Sequence, residues 1–354
     1  MTTNDIIIGR EGTAGRITMN RPKALNALTY PMVGQISRAL GDWATDATIE
    51  LVILDGAGDR ALCAGGDVLS LYESRIDGSG YARKFWADEY RLNAVIARFP
   101  KPIVALMDGI VMGGGIGLSG HASHRIVTER SMLAMPETSI GLIPDVGGTW
   151  LLSRAPGEVG TYLGLTGARM TGADAIYAGF ADTFISSKRL SELVAALREA
   201  SRGNLDQVIA AFATAAPASE LHAIAREIDP AFCGDHVEGI IEALSGCGMP
   251  WATKTLNGLH SRSPKALKAT LATLRRARTL PSLEAALDFE YRLVTRLFED
   301  GEFAEGIRAL LVDKDKAPKW NPATLAEVTT AMIAQLLAPL PAGEELGLAP
   351  HPLA

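Results

Sequence analysis

The stretch Pro102-Ile103-Val104-Ala105-Leu106-Met107-Asp108-Gly109-Ile110-Val111-Met112-Gly113-Gly114-Gly115-Ile116-Gly117-Leu118-Ser119-Gly120 decides the fold. It is apolar enough to pass for a membrane span, but Ile103–Gly120 carries Asp108 and six glycines. A carboxylate in lipid is costly, which excludes that reading. Pro102–Met107 reads as a buried strand, and the triple glycine after it opens a helix. First-turn N–H groups of a helix have no intrahelical partner and attract a developing negative charge. The same glycines would equally allow close helix–strand packing. A literal GxGxxG runs from Gly115 to Gly120, with Glu137 17 residues further on. A nicotinamide-dependent oxidoreductase would use such a pattern, yet no crossover helix fits between Gly120 and the next strand at His124.

Outward from this stretch, short β-branched runs alternate with helix-like segments. Strands are predicted at Asp5–Gly9, Gly15–Met19, Glu50–Leu54, Pro102–Met107, His124–Val127 and Met132–Met135, an α/β pattern. From about Leu190 the β signal ends. Periodic apolar positions in Ser263–Arg278 and Ser282–Leu297 predict helices, each started by a Ser/Pro pair. The expected organisation is a mixed core over 1–190 and a helical region over 191–354, with Pro339–Ala354 fraying.

The chain of 354 residues is 47% hydrophobic and 21% charged, with net charge -6. That balance argues against coating nucleic acid, which needs a strongly basic face. Cys63, Cys233 and Cys247 form no CxxC pair, so no disulfide framework or zinc site is indicated. The opening MTTNDIIIGREG lacks the apolar length of a signal peptide, and a reducing, cytoplasmic setting is expected.

Three more segments carry chemistry. Leu62-Cys63-Ala64-Gly65-Gly66-Asp67 follows a strand, so backbone N–H groups there are open to a ligand or serve a tight turn. Pro136-Glu137 and Pro144-Asp145 place two carboxylates eight residues apart in apolar company. Mutual burial would raise at least one pKa and separate acid from base; alternatively both acids start helices. In Tyr81–Phe99, Glu89 interrupts the stripe Phe85, Leu92, Ile96, Phe99, so it needs a partner, a ligand or a path to solvent. His121 and His124 have no Asp, Glu or Cys nearby to complete a zinc set.

Taken together, Met19-Asn20-Arg21-Pro22-Lys23-Ala24-Leu25-Asn26-Ala27-Leu28, Cys63-Ala64-Gly65-Gly66-Asp67, Met112-Gly113-Gly114-Gly115 and Pro136-Glu137 through Gly147-Gly148 resemble the crotonase (enoyl-CoA hydratase/isomerase) superfamily. That resemblance implies a crotonase-like spiral of ββα units and an oxyanion hole for a CoA-thioester carbonyl, with the N–H groups of Gly66 and Gly114 as its donors. Hydratases of the superfamily use two glutamates, and the first of these positions is Gly117 here. Asp145 stands where they usually carry glycine. Glu137 with Asp145 is similar to the 3-hydroxyisobutyryl-CoA hydrolase branch, as are Glu89-Tyr90-Arg91-Leu92-Asn93, Glu290-Tyr291-Arg292-Leu293, Glu305–Asp315 and Pro318-Lys319-Trp320.

The resemblance implies hydrolysis of a short-chain 3-hydroxyacyl-CoA, with Glu137 and Asp145 catalytic and Glu89 lining the acyl pocket. Lys23 and the Asp67-Val68 backbone would bind coenzyme A, which enters as part of the substrate. No metal or further cofactor is expected, no nucleic acid or membrane partner, and a homo-oligomer is compatible. The rival expectations are a hydratase or isomerase on the same fold, and a non-catalytic CoA-binding protein.

Overall fold

The structure is a computed structural model describing residues 5–348. Among these, ten strands lie in the order β1 Ile6–Glu11, β2 Ala14–Met19, β3 Leu51–Gly56, β4 Ala61–Cys63, β5 Ile103–Met107, β6 Ile110–Met112, β7 His124–Val127, β8 Met132–Ala134, β9 Met170–Thr171 and β10 Thr183–Phe184. They form two sheets, ordered β1-β2-β3-β5-β7-β10 and β4-β6-β8-β9. Successive pairs β3/β4, β5/β6 and β7/β8 each give one strand to each sheet, which is the expected spiral. All six strands predicted from periodicity are present, while β4, β6, β9 and β10, of two or three residues, were not anticipated.

Contacts group the chain into two compact units. One comprises the chain up to Asp67, Arg91–Ala134 and Arg169–Leu221; the other Val68–Tyr90, Met135–Ala168 and the chain from His222. This grouping cuts across the 190/191 change in secondary structure, because the helices Leu190–Leu197 and Leu205–Phe212 group with the strands.

In the first unit β1 and β2 form an antiparallel hairpin, and β2, β3, β5, β7 and β10 run parallel. Parallel strands covered on both faces read as continuous apolar runs, as Leu51–Leu54 and Ile103–Met107 do. One face carries Leu51, Ile53, Val104, Leu106 and Ile126, packed with Leu193, Leu197, Leu205 and Ile209 of the two helices above. The second sheet places the glycine-rich turn: β6 ends at Met112, and the helix Gly114–Ser119 begins two residues later. A Cβ on Gly115 would overlap the Cys63 carbonyl oxygen. The close-packing reading of this cluster therefore holds at Gly115, and that leaves Gly114 free for another role.

The second unit is helical. Ser263 and Ser282 cap the helices Pro264–Ala277 and Leu283–Asp300, their side chains accepting from the N–H groups of Ala266 and Ala285. Its core is aromatic: Trp86 packs edge-on against Phe298 and Phe303, and Tyr90 against Tyr291. Among the described residues no helix is long and apolar enough to cross a membrane. Met1–Asn4 and Ala349 onward, which include part of the segment expected to fray, lie outside the described residues.

Candidate active site

In the sheet unit, Gly66 pairs with Leu28 as an isolated parallel bridge. Its two bonds run from Leu28 N–H to Gly65 O and from Asp67 N–H to Leu28 O. The Gly66 N–H falls outside that pattern. Gly65, at φ 120, supplies the turn that only glycine makes without strain. Gly114 is the first residue of the helix Gly114–Ser119; Ile116 and Gly117 N–H bond back to Gly113 O, so the Gly114 N–H is likewise unspent.

Lys23 is exposed on the short 3-10 turn Pro22–Ala24. Buried Asn26 holds that turn in place: its amide donates to Ala57 O and Ala61 O, and its carbonyl accepts from Arg21 N–H. Asp67 pairs with Arg21 at 3.3 Å, and its N–H is spent on Leu28 O, so neither its carboxylate nor its N–H is left for a ligand. Val68 opens the helix Val68–Asp77.

In the helical unit, four of the buried carboxyl groups act on one another electrostatically. Relative exposures are 2% for Glu89, 5% for Glu137, 6% for Asp145 and 0% for Glu290. Glu137 is the first residue of the 3-10 turn Glu137–Ile140, and Pro136 rather than a carboxylate caps it. Gly147 caps the helix Gly148–Leu152. Glu137 thus opens a short helix, as the alternative reading expected, whereas Asp145 precedes the Gly147 cap and starts none. Glu89 does not reach solvent, and one oxygen each of Glu89 and Glu137 has no hydrogen-bond partner. Burial without partners costs several kcal/mol per ionised group, which favours the protonated form of both.

Burial, with Asp145 nearby, pushes the Glu89 and Glu137 carboxyls well above the ordinary range. Burial also raises Asp145, to about 6, while the Tyr90 hydroxyl, donating to its Oδ2 at 2.6 Å, pulls the other way. Two carboxyls with overlapping environments thus end with different proton affinities, which is what acid and base roles need.

Two members of this cluster drew no role from sequence. Tyr90 is fully buried, and its hydroxyl orients Asp145. Glu290 accepts from Gly147 N–H at 2.7 Å, Thr149 N–H at 3.0 Å and the Thr149 hydroxyl. It thereby holds the turn after Asp145, where Val146 and Gly147 take left-handed φ of 52 and 78. Burial raises Glu290 to about 8. The signal for Glu290 was present: it interrupts the apolar stripe Leu283, Leu287, Val294, Leu297 as Glu89 interrupts its own. Asn93, one helical turn after Glu89, is buried with neither amide atom partnered. His124 bonds Ser123 and Asp206, and no group of three metal-binding side chains occurs among the described residues.

A spiral that deals its strands alternately to two sheets, unspent N–H groups on glycine turns and a buried carboxyl cluster define a class of acyl-thioester enzymes. The enoyl-CoA hydratase/isomerase family model matches residues 14–337, and the chain belongs to that family. It is 40% identical over 344 residues to the mitochondrial 3-hydroxyisobutyryl-CoA hydrolase of Gallus gallus, covering 95% of this chain and 89% of the relative. It is 42% identical to the Rattus norvegicus protein of the same name, covering 92% and 87%. A solved carnitinyl-CoA dehydratase from Mycobacterium thermoresistibile superposes with TM-score 0.93 at 46% identity, covering 97% of this chain and 98% of that one.

Proposed function

We propose that the chain hydrolyses a short-chain 3-hydroxyacyl-CoA, with 3-hydroxyisobutyryl-CoA, an intermediate of valine breakdown, as the first substrate to test. The observation that carries this reading is the buried pair Glu137 and Asp145, holding different proton affinities without a cation. Gly117, buried in its helix, leaves the first hydratase glutamate position unfilled.

The proposal assigns the Gly66 and Gly114 N–H groups to the thioester oxygen. Removing one such donor costs roughly 3–4 kcal/mol in enzymes of this type. Glu137 adds to the carbonyl carbon, the C–S bond breaks and the thiolate takes the Asp145 proton; water then opens the anhydride. The alternative use of the same carboxylate is as base to attacking water. Single turnover in 18O-water, with mass analysis of Glu137, separates the two routes. Lys23 and the Asp67-Val68 backbone are assigned to coenzyme A, and Glu89 to the acyl group. The free cysteines fit the reducing, cytoplasmic setting that completes the proposal, although the named relatives are mitochondrial.

The likeness to a solved dehydratase favours a second reading, hydration of an enoyl-CoA. Thiol release from 3-hydroxyisobutyryl-, 3-hydroxypropionyl- and crotonyl-CoA decides. Hydrolysis of the hydroxyacyl thioesters, lost by at least about 10²-fold in Glu137→Gln, supports the proposal. Loss of enoyl absorbance from crotonyl-CoA without thiol release would overturn it.

A further inference from the structure

Within the helical unit, a cavity of about 380 Å³ is lined by His260, Arg262, Lys316, Trp320, Leu310 and Pro318 among others. Its volume lies within the range of small-molecule sites, about 300–1,000 Å³. Three cationic or protonatable groups line it, and no carboxylate does. Lys316 and His260 are exposed and Arg262 is half-buried, and a one-sided cationic lining of this kind attracts an anion.

Arg262 makes the imbalance concrete. Its guanidinium donates to Thr166 O at 2.7 Å, but the buried Nε has no partner. Burial alone perturbs the group, lowering its pKa, with no carboxylate offsetting the cost. A structural arginine in such a place would have a counter-ion; this one presents an unused donor.

The backbone around the cavity is also irregular. Arg308–Val312, which contributes Ala309 and Leu310 to the lining, is a π-helical turn. Lys314 and Lys316 sit at left-handed φ of 58 and 55, where a side chain other than glycine is strained. Both kinds of irregularity concentrate at functional sites. Arg308–Val312 and Lys314 belong to the Glu305–Asp315 stretch and Lys316 follows it directly; the hydrolytic chemistry uses none of them.

We propose that this cavity binds a nucleoside phosphate. Arg262, Lys316 and His260 match the two charges of a phosphate better than the single charge of a carboxylate. The indole of Trp320, with Pro318 and Leu310, offers an apolar wall to a planar base. The ligand is either a free nucleotide or the nucleotide end of coenzyme A, which share this chemistry.

The test is calorimetric titration of adenosine 5′-monophosphate into the full chain, Arg262→Met and Lys316→Gln. Binding at least tenfold weaker in both variants is expected. Arg262→Met, which removes an unpaired half-buried cation, melts no lower than the parent without ligand. Repeating the titration with saturating coenzyme A identifies the source: loss of the Arg262-dependent signal assigns the site to coenzyme A, and its persistence to a free nucleotide. No heat at millimolar nucleotide, or equal binding by parent and variants, overturns the proposal.

Discussion

Replacing Glu290 by Gln separates the structural cost of its hydrogen bonds from the electrostatic cost of burying it. The carboxyl accepts two backbone N–H groups, one on each oxygen, from Gly147 and Thr149. A glutamine amide has one acceptor oxygen, so in either orientation one of these N–H groups faces an NH2 and is left unpaired. A buried unpaired donor costs about 1–3 kcal/mol, so about 2 kcal/mol is lost at low pH. The titration works in the other direction. Glu290 is raised from 4.5 to about 8, so between these values the folded chain keeps a proton that the unfolded chain releases. The stability it contributes is fully present below pH 4.5 and falls as pH rises towards 8, by about 1.4 kcal/mol per unit.

Glutamine does not titrate and escapes this loss. The variant is therefore less stable than the parent at pH 5, level with it after about 1.5 units above 4.5, and more stable at pH 8. Urea midpoints at pH 5, 6 and 8 measure the crossover. A gap between parent and variant that stays constant across these three points would refute the reasoning. Because the turn that carries Asp145 hangs from Glu290, kcat should fall several-fold with KM little changed in the same variant.

Tyr90→Phe removes the hydrogen bond that holds the Asp145 carboxyl down; the acid limb of the kcat profile, expected near the Asp145 value of about 6, should move up by about one unit, read by thiol release from pH 5 to 8. Gly115→Ala drives a methyl into the Cys63 carbonyl and should cost at least about 1–3 kcal/mol, seen as a lowered melting temperature. Ser263→Ala removes a cap whose hydroxyl also donates to Glu302, and should cost about 1–2 kcal/mol by urea denaturation.

The sequence made the fold legible where the physics is local. The parallel strands β3 and β5 are covered on both faces, so each is a continuous apolar run that stands out unaided. β9 and β10 are two residues long, too short for alternation to register, and exist because β8 and β7 offer them an edge. The buried carboxyls were legible as anomalies. Glu89 breaks an apolar stripe, and Glu137 and Asp145 each follow a proline in an apolar stretch. Glu290 breaks a stripe in the same way, yet its meaning depends on Gly147 and Thr149, 143 and 141 residues away, which no local pattern announces. Tyr90 was invisible for a simpler reason: a tyrosine in an amphipathic helix is ordinary until its hydroxyl is seen on Asp145.

The proton inventory of the cluster links these residues to the proposed chemistry. Burial pushes Glu89 and Glu137 well above the ordinary range and Glu290 to about 8, while Asp145, near 6, is the member that gives up its proton most readily. The resting charge therefore sits on the wrong partner, since the proposed attack needs a Glu137 carboxylate and the departing thiolate needs an acid. One proton moving from Glu137 to Asp145 corrects both at once, and the charge of the cluster does not change. No cation is needed to stabilise a second buried negative charge. The pair then titrates as a unit: losing the shared proton at high pH leaves no acid, and gaining one at low pH leaves no nucleophile. A bell-shaped kcat profile follows, its acid limb set by Asp145 and therefore by the Tyr90 hydroxyl, and its alkaline limb by burial of Glu137.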